Sequence, residues 1–551
     1  MKIICKDMLT PPSVIIPGSY QKVGILLNRD MALISAIYNC IKKRITCVPL
    51  DPLWPDDRIH AIIKNTKVDA VLTTTEHAHR VDPVKAIVVE GSAVVDFAQR
   101  NGNNEIGYIQ HTSGSTGIPK GVEIPRRGLF HYADCISELI DFSPDRRIAC
   151  LSAASFDIFY LESVIALDRG LTVVLGDEEE QRNPRRMAKL IAEGFVDIIQ
   201  MTPAKMQMLQ NYDTNLVCLE NVKEILIGGE PFPLSLLHVL QEKTTAQIYN
   251  MYGPTEATGW TTVSNLTQKD RIDIGRPIRG TTVYIVNEQL SPLLEGEMGE
   301  ICIAGPCVAR RYTGQADLTA EKFVVLPQRP HPVVYRTGDL GRYLSSGDLE
   351  YIGRMDNQIK IRGYRVEPEE IEAHLEQMDG IRQAVVAAVK ANETDKVLTA
   401  FYTGEKHLRE QDMIEHLSLR LPSYMVPAVF RQVESFILSE NGKIDRKRVL
   451  ECREMQCDAA VMQGADLDKI TPRQKEILEV IRIQLNTKNS GELCLDTKFS
   501  GIGVDSISFI RLVLALEDAF DMEFDDELLL TEAFPTVASI MEYVDHKAAS
   551  V

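Results

Sequence analysis

Short β-branched runs alternate with longer amphipathic stretches through the first two thirds of the chain. AVLTT (70–74), AIVVE (86–90), LTVVLG (171–176) and EILIGG (224–229) predict buried strands. PRRMAKLIAEG (184–194) and PLSLLHVLQEK (233–243) carry apolar residues at helical spacing. Alternating strand and helix imply an α/β fold with a mostly parallel sheet covered on both faces. From about residue 276 the pattern changes to short strands with Gly and Pro turns, an added β region. A boundary falls near Gly353–Asp356, so residues 1–355 form a large first domain. IKIRGYRVEPEEIEAHLEQ, AVVAAVK and LTAFYTG then predict a small α+β domain over 356–452. Residues 453–470 lack periodicity and read as a linker. The last segment, 471–551, opens on Thr471, Pro472 and Gln474, a capping box with proline at the first helical position. Ile477, Ile481 and Leu485 share one helical face, and Phe509, Leu512, Val513, Leu516 and Phe520 another. A third helix is predicted over 534–545, which makes a small helical bundle.

Composition narrows the function classes. The 551 residues, 44% hydrophobic and 25% charged, are the balance of an ordinary globular protein. A formal net charge of −18 argues against nucleic acid as the main partner. No apolar run reaches the length of a membrane span, and MKIICKDMLTPP is broken by charge too early for a signal peptide. The 11 cysteines are scattered without a CxxC pair, the usage of reduced thiols in a cytoplasmic protein.

The strongest chemical signal is HTSGSTGIPKGV (111–122). Thr112, Ser113, Gly114, Ser115 and Thr116 offer hydroxyls and uncrowded backbone N–H groups to phosphate oxygens, and Lys120 adds a positive charge. The spacing is not that of the usual P-loop. This stretch resembles the phosphate loop of the adenylate-forming ligases, the superfamily of acyl-CoA synthetases, luciferases and nonribosomal peptide synthetase adenylation domains. The resemblance continues in order through NMYGPTEAT (250–258), GEMGEICIAGPCVARRY (296–312), YRTGDLGRY (335–343), GRMDNQIKIRGYRVEPEEIE (353–372), LPSYMVPAVF (421–430) and NGKIDRKRV (441–449). These match the peptide-synthetase versions and cover most of residues 45–450.

The resemblance implies ATP and Mg²⁺ as cofactors and assigns roles by position. Tyr252 would stack on adenine and Asn250 would bond its exocyclic amine, with Gly229, Glu230 and Gly253 also lining the nucleotide. Thr255 would contact the α-phosphate and Glu256 would help hold Mg²⁺. Asp339 would accept the ribose hydroxyls, with Arg354 beside it. Lys443 would bridge the substrate carboxylate and the phosphate. These are positioning and charge-stabilising roles, the kind nucleotidyl transfer chiefly needs. Asp356 takes the hinge position, and the region around Gly363 would face the site in the thioester-forming state. The family's front end is longer than the stretch preceding VPLDPLWPDDRI (48–59) here, so the sheet's edge is expected to be unusual.

SFDIF (155–159) places Asp157 where amino-acid-activating members hold the substrate's α-ammonium. The family's specificity positions fall on Asp157, Ile158, Leu161, Gln200, Leu226, Gly228, Met251, Gly259, Trp260 and Lys443, a set resembling the glycine-activating pattern. Trp260, Leu161, Gln200 and Met251 would crowd the side-chain end, and a filled pocket rejects an added methylene better than an empty one detects a missing one. Met251 and Gly259 depart from the pattern and leave alanine open.

GVDSI (503–507) puts Ser506 at the start of an amphipathic helix after a loop, similar to the 4'-phosphopantetheine attachment site of carrier domains. The fold implied is therefore an adenylate-forming ligase followed by a four-helix carrier. Residues 512–546 contain no Lys or Arg, while Glu517, Asp518, Asp521, Glu523, Asp525, Asp526 and Glu527 cluster, a surface suited to basic partner enzymes. The expected function is activation of a small amino acid and loading of the chain's own carrier, in natural-product (antibiotic) biosynthesis. The expected partners are a phosphopantetheinyl transferase and downstream carrier-dependent enzymes. An acyl- or aryl-acid ligase fused to a carrier is the alternative within the class, disfavoured by Asp157. A non-catalytic carrier scaffold is the alternative outside it, disfavoured by Lys120, Glu256, Asp339 and Lys443.

Overall fold

The computed structural model describes the chain except residues 1, 84, 92, 99–103, 115–118, 327–332, 362, 391–395, 405–407, 434, 438–443, 445, 452–470, 485–494, 496, 498, 500–505, 521, 523, 526–533, 535 and 549–551. The described chain forms two compact units. One comprises residues 1–370 with 418–423, the other 371–417 with 424–551.

Two sheets build the first unit. In the larger, Thr172–Leu175, Arg147–Cys150, Ile198–Met201, Glu224–Gly228 and Gln247–Tyr252 lie parallel in that order. Their sequences are almost wholly apolar because helices cover them, as parallel strands require. Thr262–Asn265 and Arg276–Pro277 extend one side antiparallel. On the other side Lys2–Ile4 pairs antiparallel with Thr172–Leu175, so the chain's own first strand forms that edge. The second sheet runs Ala86–Val88, Ala70–Thr73, Lys22–Leu26, Thr46–Pro49, Ile106–Thr112 and Lys120–Pro125, parallel but for the last pair. The helix Met31–Lys42 is buried along most of its length among residues of both sheets, including Val23, Cys47, Ile148 and Val173. The expected added β region is a five-stranded sheet over residues 282–354.

Residues 356–370, assigned from sequence to the small domain, pack with the first unit. The hairpin Ile359–Ile361/Tyr364–Val366 and the residues after it are the reason, as Arg365 O, Glu367 and Glu370 pair with phosphate-loop residues described below. In the second unit Ile381–Lys390, Lys396–Gly404 and Val429–Gln432 form a sheet whose core includes Val385, Phe401, Phe436 and Val449. Arg446 binds both carboxylate oxygens of Glu372, at 2.7 and 2.6 Å.

At the C-terminal end, among the described residues, three helices span Pro472–Gln484, Ser506–Phe520 and Val537–Ala548. The capping box forms as its sequence predicts. Thr471 N–H donates to Gln474 Oε1 at 3.0 Å, and Gln474 N–H to Thr471 Oγ1 at 3.2 Å. The predicted faces meet, with Ile477, Ile481, Phe509, Leu512, Val513, Leu516, Ile540 and Val544 buried together. Leu485 and the linker 453–470 lie outside the described residues.

Candidate functional site

The glycine-rich stretch links Ile106–Thr112 to Lys120–Pro125, with Thr112 paired directly across from Lys120. The hairpin geometry therefore brings the lysine back beside the start of its own loop. Ser115 and Thr116 lie outside the described residues. The remaining loop groups are engaged by the 356–370 segment. Ser113 Oγ donates to Arg365 O at 2.8 Å, Gly114 N–H to Glu370 Oε2 at 2.8 Å, and Lys120 Nζ to Glu367 Oε1 at 2.8 Å. Glu370 Oε1 also receives Arg58 Nη1 at 2.9 Å, both side chains being almost fully enclosed. Burial first, then Arg365, lowers the Lys120 pKa, while Glu367 and Glu256 oppose the shift. Carboxylate oxygens thus meet donors arranged to receive an anion.

Glu256 sits on a short turn, Thr255–Ala257, just beyond the strand Gln247–Tyr252. Its carboxylate accepts from Tyr312 Oη at 2.6 Å and, with both oxygens, from Arg365 Nη1 at 3.0 Å. Burial pushes this carboxyl up, but Arg365, Lys120 and Tyr312 together outweigh it and bring its pKa down to about 2. A permanently ionised, hard oxygen donor suits Mg²⁺. The metal could bind there only after Arg365 withdraws.

The residues expected at the nucleoside converge. Tyr252 Oη donates to Asp339 Oδ2 at 2.7 Å, and Arg354 Nη1 to Asp339 Oδ1 at 2.8 Å. Asp339 and Arg354 are cross-strand partners, which holds the pair rigidly. Arg354 Nε reaches Asp356 Oδ1 at 2.6 Å, tying the hinge position to this pair. Asn250 Nδ2 donates to Asp273 O at 2.8 Å. Gly229 and Gly253 each follow the C-terminal end of a parallel strand, where open sheets bind ligands. Glu230 Oε1 accepts the N–H of Gly363 at 2.8 Å. Gly363 has φ +82°, and a Cβ there would stand 2.4 Å from Thr202 Cγ2, so only glycine fits the approach.

The specificity positions also share a place. Gln200 pairs across from Leu226, and Gly228 across from Met251, at the C-terminal ends of three adjacent parallel strands. Asp157 and Ile158 lie in the turn leading to a π-helical turn, Leu161–Ile165. Burial raises the Asp157 carboxyl above the usual carboxylate range; hydrogen bonds from Thr255 and the Ile158 N–H offset part of that. The Trp260 indole N–H donates to Gln200 Oε1 at 2.6 Å. A Cβ on Gly228 would lie 2.6 Å from the same indole, so a side chain there would displace the ring. Gly259 has φ +88° and packs against Tyr132, whose hydroxyl is bonded to the Trp260 backbone. Lys443 lies outside the described residues. Ser506 is the first residue of its helix, as its motif predicts.

Sequence reasoning quoted the motif holding Arg365, Glu367 and Glu370 but gave roles only to Arg354, Asp356 and Gly363 within it. The available signal was the run of charged residues directly after a glycine hairpin. It also passed over Glu162 and Tyr132. Glu162 was visible as a lone carboxylate inside the apolar run IFYLESVIAL, which burial makes costly without partners.

Comparison with known proteins supplies the family. A family model described as AMP-binding enzyme matches residues 17–313, and one described as phosphopantetheine attachment site matches residues 475–544. A dimodular nonribosomal peptide synthase of Bacillus subtilis is 31% identical over 543 residues, covering 96% of this chain and 22% of that protein. Tyrocidine synthase 2 of Brevibacillus parabrevis is 32% identical over 541 residues, covering 96% of this chain and 15% of that protein. The chain therefore spans about a fifth or less of such relatives. An NRPS protein containing adenylation and PCP domains, bound to a vinylsulfonamide inhibitor, shares the fold at TM-score 0.78 and 24% identity, over 96% of this chain and 88% of that one. A four-domain nonribosomal peptide synthetase bound to AMP and glycine superposes at TM-score 0.57 and 29% identity, over 98% of this chain and 40% of that one. Adenylation domains use ATP and Mg²⁺ to activate a carboxylate, and the carrier's phosphopantetheine takes it as a thioester. By these matches the chain belongs to the AMP-binding enzyme family as an adenylation domain joined to a phosphopantetheine-bearing carrier.

Proposed function

We propose that this chain activates a small amino acid, glycine foremost, and loads it onto phosphopantetheine at Ser506. The first half-reaction makes aminoacyl-AMP and pyrophosphate; the second passes the aminoacyl group to the carrier thiol and releases AMP. Tyr252 stacks on adenine, Asn250 bonds its amine, and Asp339 with Arg354 holds the ribose. Thr255 and Lys120 receive phosphate oxygens, and Mg²⁺ beside Glu256 offsets their charge. Lys443 joins the substrate carboxylate to the α-phosphate. The domain limits 1–355, 356–452 and 471–551 are part of the same proposal, with the hinge at Asp356.

One observation carries the substrate reading. The Trp260 indole is enclosed, tethered to Gln200 and laid against Gly228, which fills the side-chain end of the pocket. Asp157 supports it, since a carboxylate whose pKa burial has raised gains most from a neighbouring ammonium. The relative at 29% identity bound to AMP and glycine points the same way. We also propose a loading role, in which the acidic run after Ser506 offers a face to a basic downstream enzyme.

Pyrophosphate–ATP exchange across a panel of acids tests this. Glycine is expected to lead, alanine to be weaker, and leucine and phenylalanine to be negligible. A peak with an aryl acid would establish the alternative ligase, and no exchange with any acid would establish the scaffold.

A further inference from the structure

Trp260 could fill the pocket only if its ring is held in one orientation, and the Gln200 amide alone does not ensure that. An amide presents an acceptor at one end and donors at the other, and it can turn over. Here the surroundings fix which way it faces. Gln200 Nε2 donates to Glu162 Oε1 at 2.9 Å and to Ile158 O at 3.1 Å. Both partners are acceptors only, so the nitrogen must face them and the oxygen must face the indole N–H, 2.6 Å away.

Glu162 is itself held without freedom. Its side chain is fully enclosed. Oε2 accepts Leu151 N–H at 2.9 Å and Ser152 N–H at 2.8 Å, while Oε1 accepts Ser152 Oγ at 2.7 Å besides Gln200. The carbonyl side of the same segment is clamped by cations. Lys205 Nζ donates to Leu151 O at 2.9 Å, and Arg29 binds Ser152 O and Cys150 O, both at 2.5 Å. The segment is thus pinned from both sides, with two buried cations near the one carboxylate. The π-helical turn Leu161–Ile165 adds the local reason. Widening at this turn puts Leu161, a pocket residue, and Glu162, its neighbour in sequence, on one short rigid element.

We infer that Glu162 is a positioning residue for substrate selection, setting the polarity of Gln200 and through it the orientation of Trp260. The inference rests on the pocket reading above and extends it to a residue outside the pocket's lining. A carboxylate is needed there because a neutral amide at 162 can offer its own N–H₂ to Gln200. Gln200 could then reverse and present N–H₂ to the indole N–H. Two donors facing one another would push the ring out of place.

The test uses the full chain with three variants, Glu162→Gln, Gln200→Leu and the double. Exchange assays measure kcat/KM for glycine and for alanine, and tryptophan emission reports the ring without any substrate. Trp260→Phe, which keeps Trp54, assigns the two emissions. Glu162→Gln is expected to raise the alanine-to-glycine ratio by about fivefold or more, chiefly through the glycine KM, and to shift Trp260 emission. The ATP KM should stay put. Because Glu162 acts through Gln200, the double variant should match Gln200→Leu alone rather than compound it. If Glu162→Gln fails to fold, Gln200→Leu must still relax the ratio, since it removes the indole's acceptor while leaving Glu162 three donors. An unchanged ratio, equal loss with every acid, or additive effects in the double variant would overturn the inference. Wild-type selectivity for a large acid would instead overturn the pocket reading, whatever Trp260 emission shows.

Discussion

At the scale of single residues, Asp157 and Trp260 were legible because each stands beside a motif that fixes its register. The Gln200–Trp260 bond was not, since its ends lie 60 residues apart and neither sequence neighbourhood names the other. The two residues make different predictions. Trp260→Ser opens volume, so relative activity with alanine or serine should rise while glycine loses some turnover as water enters. Asp157→Ala should harm every amino acid alike, by about tenfold or more in kcat/KM, because it removes a contact all of them share. The raised Asp157 pKa adds a pH signature. Ammonium binding needs the ionised carboxylate, so the glycine KM should climb on acidification at a pH above the ordinary Asp range, about 3.9. Asp157→Asn should raise the KM throughout and flatten that dependence. A wild-type KM that holds level until pH 4 would count against the ammonium contact.

At the scale of elements, periodicity gave buried strands at Ala70–Thr73 and Glu224–Gly228 and a helix at Pro184–Glu193, whereas AIVVE, read as buried, is the partly exposed edge strand Ala86–Val88 because only one neighbour strand covers it. It did not give Lys2–Ile4, since three residues are too few to show a period. Nor could it show where the hairpin 359–366 packs, because its polar side chains find their partners across the fold rather than along the chain. Those partners matter for chemistry. Glu367 holds Lys120, and Arg365 holds Glu256, so the docked hairpin and the residue after it take the groups proposed to meet ATP and Mg²⁺. Hairpin docking and ATP binding should therefore compete. Glu367→Gln removes the ion to Lys120 and leaves the rest of the loop intact. It should lower the ATP KM a few-fold, and it should slow transfer from a preformed aminoacyl-adenylate by a larger factor. A higher ATP KM would mean that Glu367 supports nucleotide binding, contrary to this account. Glu256 supplies a second signature. Its folded pKa lies below the ordinary Glu value, so its stabilising contribution is complete above about pH 4.5 and fades as pH falls towards 2. Acid unfolding should start in that window, and Glu256→Gln should remove this component along with much of the stability at neutral pH.

At the scale of the whole molecule, the proposed function has two half-reactions that use one phosphate loop, each calling on residues the other does not. The division follows from the family resemblance, which gives NGKIDRKRV to the first reaction and the region around Gly363 to the second. In that proposal Ser506 belongs only to the second reaction. Ser506→Ala should leave amino-acid-dependent exchange within about twofold of wild type, because adenylation is complete before the thiol is needed. Covalent loading should vanish, and a thioester found by intact mass on that variant would remove Ser506 from the mechanism. Lys443, by the same proposal, belongs only to the first. Its ammonium would stabilise charge on the α-phosphate as the substrate carboxylate attacks, and in the proposed cycle it would no longer face the phosphate when the thiol displaces AMP, whose phosphate leaves with the acyl C–O bonding pair. Lys443→Ala should therefore cut exchange by about a hundredfold or more, the usual scale for losing a transition-state charge contact. Transfer from supplied glycyl-adenylate to the holo carrier should fall far less. By the same proposal Lys443 acts in adenylation and not on Lys120, so the ATP-competition signature of Glu367 should persist in the double variant. Equal losses in the two half-reactions would mean that Lys443 holds the adenylate itself, and the division of labour between the two stretches would fall with it.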